Sequence, residues 1–531
     1  MSKVSTQTKI SIVDNVDSHT PPKNSIQTIS GRQSKDLVIA FCGAIGAGIK
    51  TTKKASKNEL EELGYRVIDL RLSNLMDQFI DKDPSLLDTA GLVDDDQAFN
   101  RYVKYQNLGD KLREKFTGQI MAEAAINEIS LKREQELQKL IKDGKSREEA
   151  TRQVESIKTA YLIDQLKHPA EVELFRLIYQ NNFYLIGVIR SEEERKRNLR
   201  DEGINKENID SLIHRDRKAE EKHGQQTEKT ILDSDIFIRN CQSHVAMLKF
   251  SIKRFLNLIH GVNGITPTVH EKGMFAAFSA SLQSACLSRQ VGAAIMDNEG
   301  SIISTGRNDV PKPFGGLYNT EDEKQDYRCF HKGGKCYNDY HKNKIKDKIE
   351  SLLASENVPN SKVVAEKLYK KAGISSLLEF SRSIHAEMDA ITSIARNGNS
   401  ETQGTTLYTT TYPCHNCARH IVAAGISKAI YIEPYEKSLA LDLHDDAITD
   451  QSDSEKVRFE PFEGVSPRRY PKFFFSMADR KSPHGEAVKL TSKYNHHVDI
   501  QFLDSYSTFE SKILNDFQSK LSSLEKVEPN N

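Results

Sequence analysis

Two short segments, Ile384-His385-Ala386-Glu387 and Pro413-Cys414-His415-Asn416-Cys417, constrain this chain more than anything else in it. Cys414 and Cys417 are three residues apart, so on a helix they project from one face and can grip a single ion. Two thiolates with one imidazole, His385, form a donor set that zinc accepts while its fourth position stays open for water. Glu387 lies two residues from His385 and does not share its face, which lets the carboxylate reach past the ion toward that water. A lone Cys-x-x-Cys is weak, because redox and structural pairs share it. A closed structural site would want a fourth Cys or His instead of a nearby Glu.

The chain has 531 residues, too many for one ordinary core, so two globular domains plus tails are expected. Lys plus Arg and Asp plus Glu are both 75, and this balance argues against a nucleic-acid duplex as partner. The N-terminus lacks the apolar stretch of a signal peptide, and no run of about 18 apolar residues occurs, so a cytoplasmic protein is expected. Seven cysteines on so long a chain fit reduced thiols and metal ligands better than a disulfide framework.

Residues 1–33 are polar and carry Pro21-Pro22, a composition that buries too little to offset ordering entropy, so a disordered tail is expected there. From Leu37 the run LVIAFCGAIGAG, a helical KKASKNELEELG and a second strand YRVIDL read as a βαβ opening. Gln119 to about Lys167 reads as a charged helical pair on the outside of this domain. NFYLIGVIR and DIFIRN complete an α/β unit over 34–263.

A second domain is expected over 264–505. It begins with a helix, then a hairpin through Asp297-Asn298-Glu299-Gly300, and is interrupted by an insert over 311–379. A helix at IHAEMDAITSIA, a strand at TTLYTTTY, a helix at CHNCARHIVAAG and a strand at KAIYIEP follow, implying a sheet covered by helices. Residues 506–531 read as a terminal helix and polar tail.

His-x-Glu combined with Pro-Cys-x-x-Cys is the pattern of zinc deaminases. The phrases SRQVGAAIMDNEGSIISTGRNDVP, HAEMDAI and TTLYTTTYPCHNCARHIVAAGISKAIYIEPY go further and resemble the deoxycytidylate deaminase family over roughly 264–440. The resemblance implies a cytidine-deaminase-like α/β/α sandwich, zinc on His385, Cys414 and Cys417, and a homo-oligomer. It implies that Glu387 takes a proton from water and later delivers protons to N3 and to the leaving amine of a cytosine ring. It also implies substrate contacts by Asn308, by Arg289 and by Tyr435. Cys329, His331, Cys336 and His341, close together in RCFHKGGKCYNDYH, read either as a second, structural zinc site, which some members of the family carry, or as a loop with unligated thiols.

Gly43 to Thr51, GAIGAGIKT, follows a strand and precedes a helix, the context in which backbone N–H groups cradle phosphates. Gly43, Gly46, Gly48, Lys50 and Thr51 are the candidate nucleotide-binding residues. Ile49 stands where the phosphate-bridging Lys is expected, so binding without efficient transfer is the expectation. IRSEEERKRNLRDEG, His214-Arg215-Asp216 and GQQTEKTILDSDIFIRN resemble the lid and closing strand of nucleoside-monophosphate and dephospho-coenzyme A kinases. The fold class is therefore α/β, a P-loop NTPase-like parallel sheet domain followed by the deaminase sandwich. That pairing resembles bacterial anti-phage deoxycytidine-nucleotide deaminases, which implies depletion of dCTP and dCMP under control of an allosteric nucleotide or an inhibitory small RNA. The competing readings are a nucleic-acid cytosine or adenine deaminase, a housekeeping dCMP deaminase supplying dUMP, and a module that only binds. Single-strand recognition calls for basic grooves and stacking aromatics, whereas this chain is neutral and has no tryptophan.

Overall fold

The computed structural model describes residues 33–93, 96–217, 226–240, 245–398, 401–435, 438–451, 455–475, 479–492, 497–498, 501–504, 510 and 513–515. The tail expected over 1–33 lies outside them except for Gln33, and the segment expected over 506–531 lies outside except for 510 and 513–515. Two compact units form, one of Met1–Lys35 with Ile500–Asn531, the other of Asp36–Asp499. In the smaller, Gln33 and Phe502 form an antiparallel bridge. Among the described residues no helix is long and apolar enough to cross a membrane.

The larger unit is mixed α/β with two six-stranded sheets. The first contains β1 (Leu37–Gly43), β2 (Arg66–Leu70), β3 (Thr159–Ile163), β4 (Phe183–Ile189) and β5 (Ile236–Arg239), all parallel. The second contains β6 (Gly292–Met296), β7 (Ile302–Arg307), β8 (Thr406–Thr411), β9 (Lys428–Glu433), β10 (Ile448–Thr449) and β11 (Val457–Pro461), and β12 (Gly464–Val465) then returns to the first.

In the first sheet the order is β12-β5-β4-β1-β3-β2. β1 is buried at every position, as a parallel strand covered on both faces must be, which is why it reads as an unbroken apolar run. Between β1 and β2 runs helix α1 (Ile49–Glu62). Helices Ile120–Lys142 and Arg147–Ser156 form where a helical pair is expected, separated by Gly144 at φ +92° and restarted by a Ser146/Glu149 capping box. The expectation that helix continues to Lys167 is corrected: Thr159–Ile163 is β3, buried along its length between β1 and β2. Thr-Ala-Tyr-Leu-Ile offers no charged position to solvent, so both of its faces can be covered, which the preceding charged helix cannot match.

The second sheet has the order β10-β11-β9-β8-β6-β7. β6 pairs antiparallel with β7 and β8, while β8, β9, β11 and β10 run parallel. Helix α2 (Val269–Ser281) lies on one face and helix α3 (Ala386–Asn397) on the other. Gly292 and Gly306 permit that close approach, because a Cβ at Gly292 would stand 1.9 Å from the Ala277 carbonyl oxygen and one at Gly306 2.3 Å from that of Ala386. Between β7 and α3 the insert contributes helices α4 (Tyr337–Ser355) and α5 (Ser361–Lys371).

The two sheets share side chains. Phe237 of β5 packs with Met274, Ala277, Met296, Tyr408 and Phe462. Glu271 of α2 accepts from the Val465 amide of β12 at 2.8 Å and pairs with Arg254 at 2.7 Å. The division expected at 263/264 falls in the connection between helix Val245–Ile259 and α2.

Candidate metal centre and active site

Helix α6 (His415–Ala423) follows β8 through Tyr412 and Pro413. His385 is the N-cap of α3, Cys414 the N-cap of α6, and Cys417 lies in the first turn of α6. Both helices therefore aim their positive ends at one point, favouring thiolate there. The His385 Nδ1 is 3.3 Å from each of the two Sγ atoms. Tetrahedral coordination with bonds of about 2.0–2.3 Å sets donors roughly 3.5 Å apart, so this N/S/S set fits zinc as it stands.

The charges agree. Hydrogen bonds from Cys417 and then from His385 pull the Cys414 thiol down to about 4, and the Cys414 contact in turn pushes His385 up to about 9. Cys417 is held protonated by its hydrogen bond to Cys414 and by burial. Three donors that share protons so closely are ones in which a divalent cation can compete for the same lone pairs. Glu387 is 4% exposed, accepts from Cys417 Sγ at 3.5 Å, and is pushed up by burial.

His385, Glu387 and Cys414 line a cavity of about 300 Å³. Arg289, Asn308 and Tyr435 all line it, as expected from the sequence. Asn308, however, has its amide engaged: Oδ1 accepts from the Val291 amide at 2.7 Å and Nδ2 donates to the Arg289 carbonyl at 2.8 Å. In this structure it fixes the 289–291 loop. Arg289 pairs with Glu433 at 3.1 Å and lies 5.6 Å from the Tyr435 ring centre.

Sequence reasoning missed the wall contributed by the insert and the residues around it, including Tyr337, Lys342 and Arg382. The one signal available was that Arg382 stands three residues before His385. Of Cys329, His331, Cys336 and His341, the structure brings Cys329 and Cys336 to the lining of this cavity but does not gather the four into a group that could share an ion. Among the described residues, His385, Cys414 and Cys417 are the only such group of three or more. His331 Nε2 is 3.3 Å from Asp326 Oδ2, His341 lies against Phe380, and Cys336 is the N-cap of α4.

The glycine-rich loop lies far along the chain at the C-terminal end of β1. Gly46 and Gly48 have φ +78° and +81°, and Gly48 is the N-cap of α1. A Cβ at Gly48 would stand 2.4 Å from Asn240 Nδ2. Asn240 donates to the Gly48 carbonyl at 2.8 Å, Arg195 to that of Ile45 at 2.8 Å, and Asp216 accepts from the Ile45 amide at 2.6 Å. Gly43 is buried, Lys50 and Thr51 are exposed, and Ile49 packs into the core. The buried Lys53 is tied to Asp69 at 2.7 Å and Asp164 at 3.0 Å.

Residues 267–433 match the family model described as cytidine and deoxycytidylate deaminase zinc-binding region. Deoxycytidylate deaminase of Enterobacteria phage T2 is 35% identical over 165 residues, which span 30% of this chain and 78% of the phage protein. That of phage T4 is 34% identical over 162 residues, 30% and 76% of the two chains. The dCMP deaminase of cyanophage S-TIM5, solved with dCMP and dUMP, aligns over its whole length and 38% of this chain at 21% identity, with a TM-score of 0.23, too low for any geometry to be carried over.

Proposed function

The chain belongs to the deoxycytidylate deaminase family, and from that premise we propose that it hydrolytically deaminates deoxycytidine nucleotides, dCMP and dCTP, to dUMP or dUTP and ammonia. The observation that carries this is the convergence of His385, Cys414 and Cys417 on one point with the buried carboxyl of Glu387 against it. His385, Cys414 and Cys417 would hold zinc, which when bound supplies a water of lowered pKa at the open fourth position.

The protein's own part is proton traffic and positioning. Glu387 takes one proton from the water that adds to C4 of the cytosine ring. It delivers that proton to N3, then takes the remaining proton from the C4 hydroxyl and hands it to the exocyclic amine as the C4–N bond breaks and C4=O forms. Its burial keeps bulk water from competing for those protons. Asn308 holds the 289–291 loop against the cavity, and Tyr435, beneath Arg289, presents an aromatic face at its side.

The first sheet we read as a P-loop kinase-like domain that binds a nucleotide as a regulator. The crevice at the carboxyl end of a central parallel strand is where such sheets take ligands, and Gly43, Gly46, Gly48, Lys50 and Thr51 lie there. Burial of Ile49 leaves that position without an amine to neutralise a transferring phosphoryl group, which supports binding without transfer. The resemblance of this pairing to bacterial anti-phage deoxycytidine-nucleotide deaminases supports a role in depleting deoxycytidine nucleotides during phage infection, restrained by a small RNA. Incubation of the purified protein with dCMP, dCTP, cytidine nucleotides, single-stranded DNA and RNA tests the reading. Uracil product is expected from the free deoxynucleotides; product from the polymers alone would replace the substrate assignment.

A further inference from the structure

Three cationic side chains other than His385 line the cavity: Arg289, Lys342 and Arg382. Two of them are already neutralised, Arg289 by Glu433 at 3.1 Å and Lys342 by Asp339 at 2.9 Å. Arg382 pairs with no carboxylate among the described residues. Its Nη1 donates to the Tyr327 carbonyl at 3.1 Å, and its guanidinium lies 5.1 Å from the Tyr337 ring centre. Those contacts fix the plane of the guanidinium and leave Nε and Nη2 without an acceptor among the described residues.

The position is fixed as well. Arg382 belongs to the short segment that leads into His385, in which Ile384 bridges to Asp309. Three residues span at most about 10 Å, so the Arg382 backbone lies within the length of a base and a sugar from that of His385. An unpaired guanidinium on the cavity wall attracts an anion, and two free N–H donors in a fixed plane match two phosphate oxygens.

We infer that Arg382 is the residue that reads the 5′-phosphate of the substrate, making the enzyme select nucleotides over the nucleoside. This rests on the deaminase reading above. The chemistry at C4 is indifferent to the phosphate, so Arg382 acts on selection through binding, with the insert supplying the support that orients it.

The zinc-loaded enzyme and its Arg382→Ala and Arg382→Lys variants would be compared on dCMP and on deoxycytidine, with zinc content and melting temperature measured alongside. A charge-assisted contact of this kind is typically lost at a cost of about 10- to 100-fold in binding. Arg382→Ala is therefore expected to lower the dCMP-to-deoxycytidine ratio of kcat/KM by about that factor, chiefly through KM. Arg382→Lys keeps the charge without the fork and should recover part of the ratio. If the Ala variant loses zinc or fold, the Lys variant decides, with a smaller fall in the ratio at full zinc. An unchanged ratio at full zinc overturns the assignment. Wild-type enzyme that converts neither compound overturns the deaminase reading itself, a different failure.

Discussion

Glu387 and Cys414 stand within one cluster but have different roles in the proposed mechanism, and substitution should separate them. Glu387→Gln keeps the size of the side chain and removes its capacity to carry protons, so zinc content should stay near wild type while kcat on dCMP falls about 100-fold or more. Cys414→Ala removes one of three protein ligands, so zinc and activity should be lost together. Elemental analysis beside a turnover assay checks both, and near-normal turnover by the Gln variant would remove Glu387 from the mechanism. At this scale the sequence was highly legible. His385, Glu387, Cys414 and Cys417 are local signals, because two helix N-termini place them with little help from the rest of the fold. Arg382 was not legible, since its meaning depends on Glu433 and Asp339 having neutralised its neighbours, and no spacing in the chain reports that.

The elements matter through how closely they approach. Gly306 of β7 touches the start of α3, where a Cβ would meet the Ala386 carbonyl at 2.3 Å and the Ala390 amide at 2.4 Å. Backbone cannot yield as a side-chain tip does, so Gly306→Ala should displace the helix start that carries His385 and Glu387. A loss of about 1–3 kcal/mol in stability with reduced activity is expected, measured by denaturant unfolding and turnover. Gly48→Val meets Asn240 Nδ2 at 2.4 Å and forces a β-branched residue into φ +81°. It should abolish nucleotide binding by the first sheet, measured by calorimetry with ATP or dCTP, and alter how deamination responds to nucleotides. Lost binding with unaltered deamination and control would make that sheet a scaffold. Strand β3 shows why element reading failed where it did: a short apolar run after a charged helix continues the helix as readily as it starts a strand, until the partners β1 and β2 are known.

At the scale of the molecule, the two sheets were legible as two successive α/β patterns, but their joining was not. β12 is two residues long, and it returns from the end of the second sheet to pair with β5. The buried Glu271 pairs with the partly buried Arg254 at the same junction, and neither carries a local signal of its role. The central claim is that a metal held by His385, Cys414 and Cys417 drives loss of ammonia from a free deoxycytidine nucleotide. The most direct measurement is release of dUMP from dCMP by the purified protein before chelation, after chelation, and after return of one equivalent of zinc. Activity, its loss and its recovery are expected; dUMP formed at an undiminished rate by the metal-free protein would contradict a metal-driven reaction.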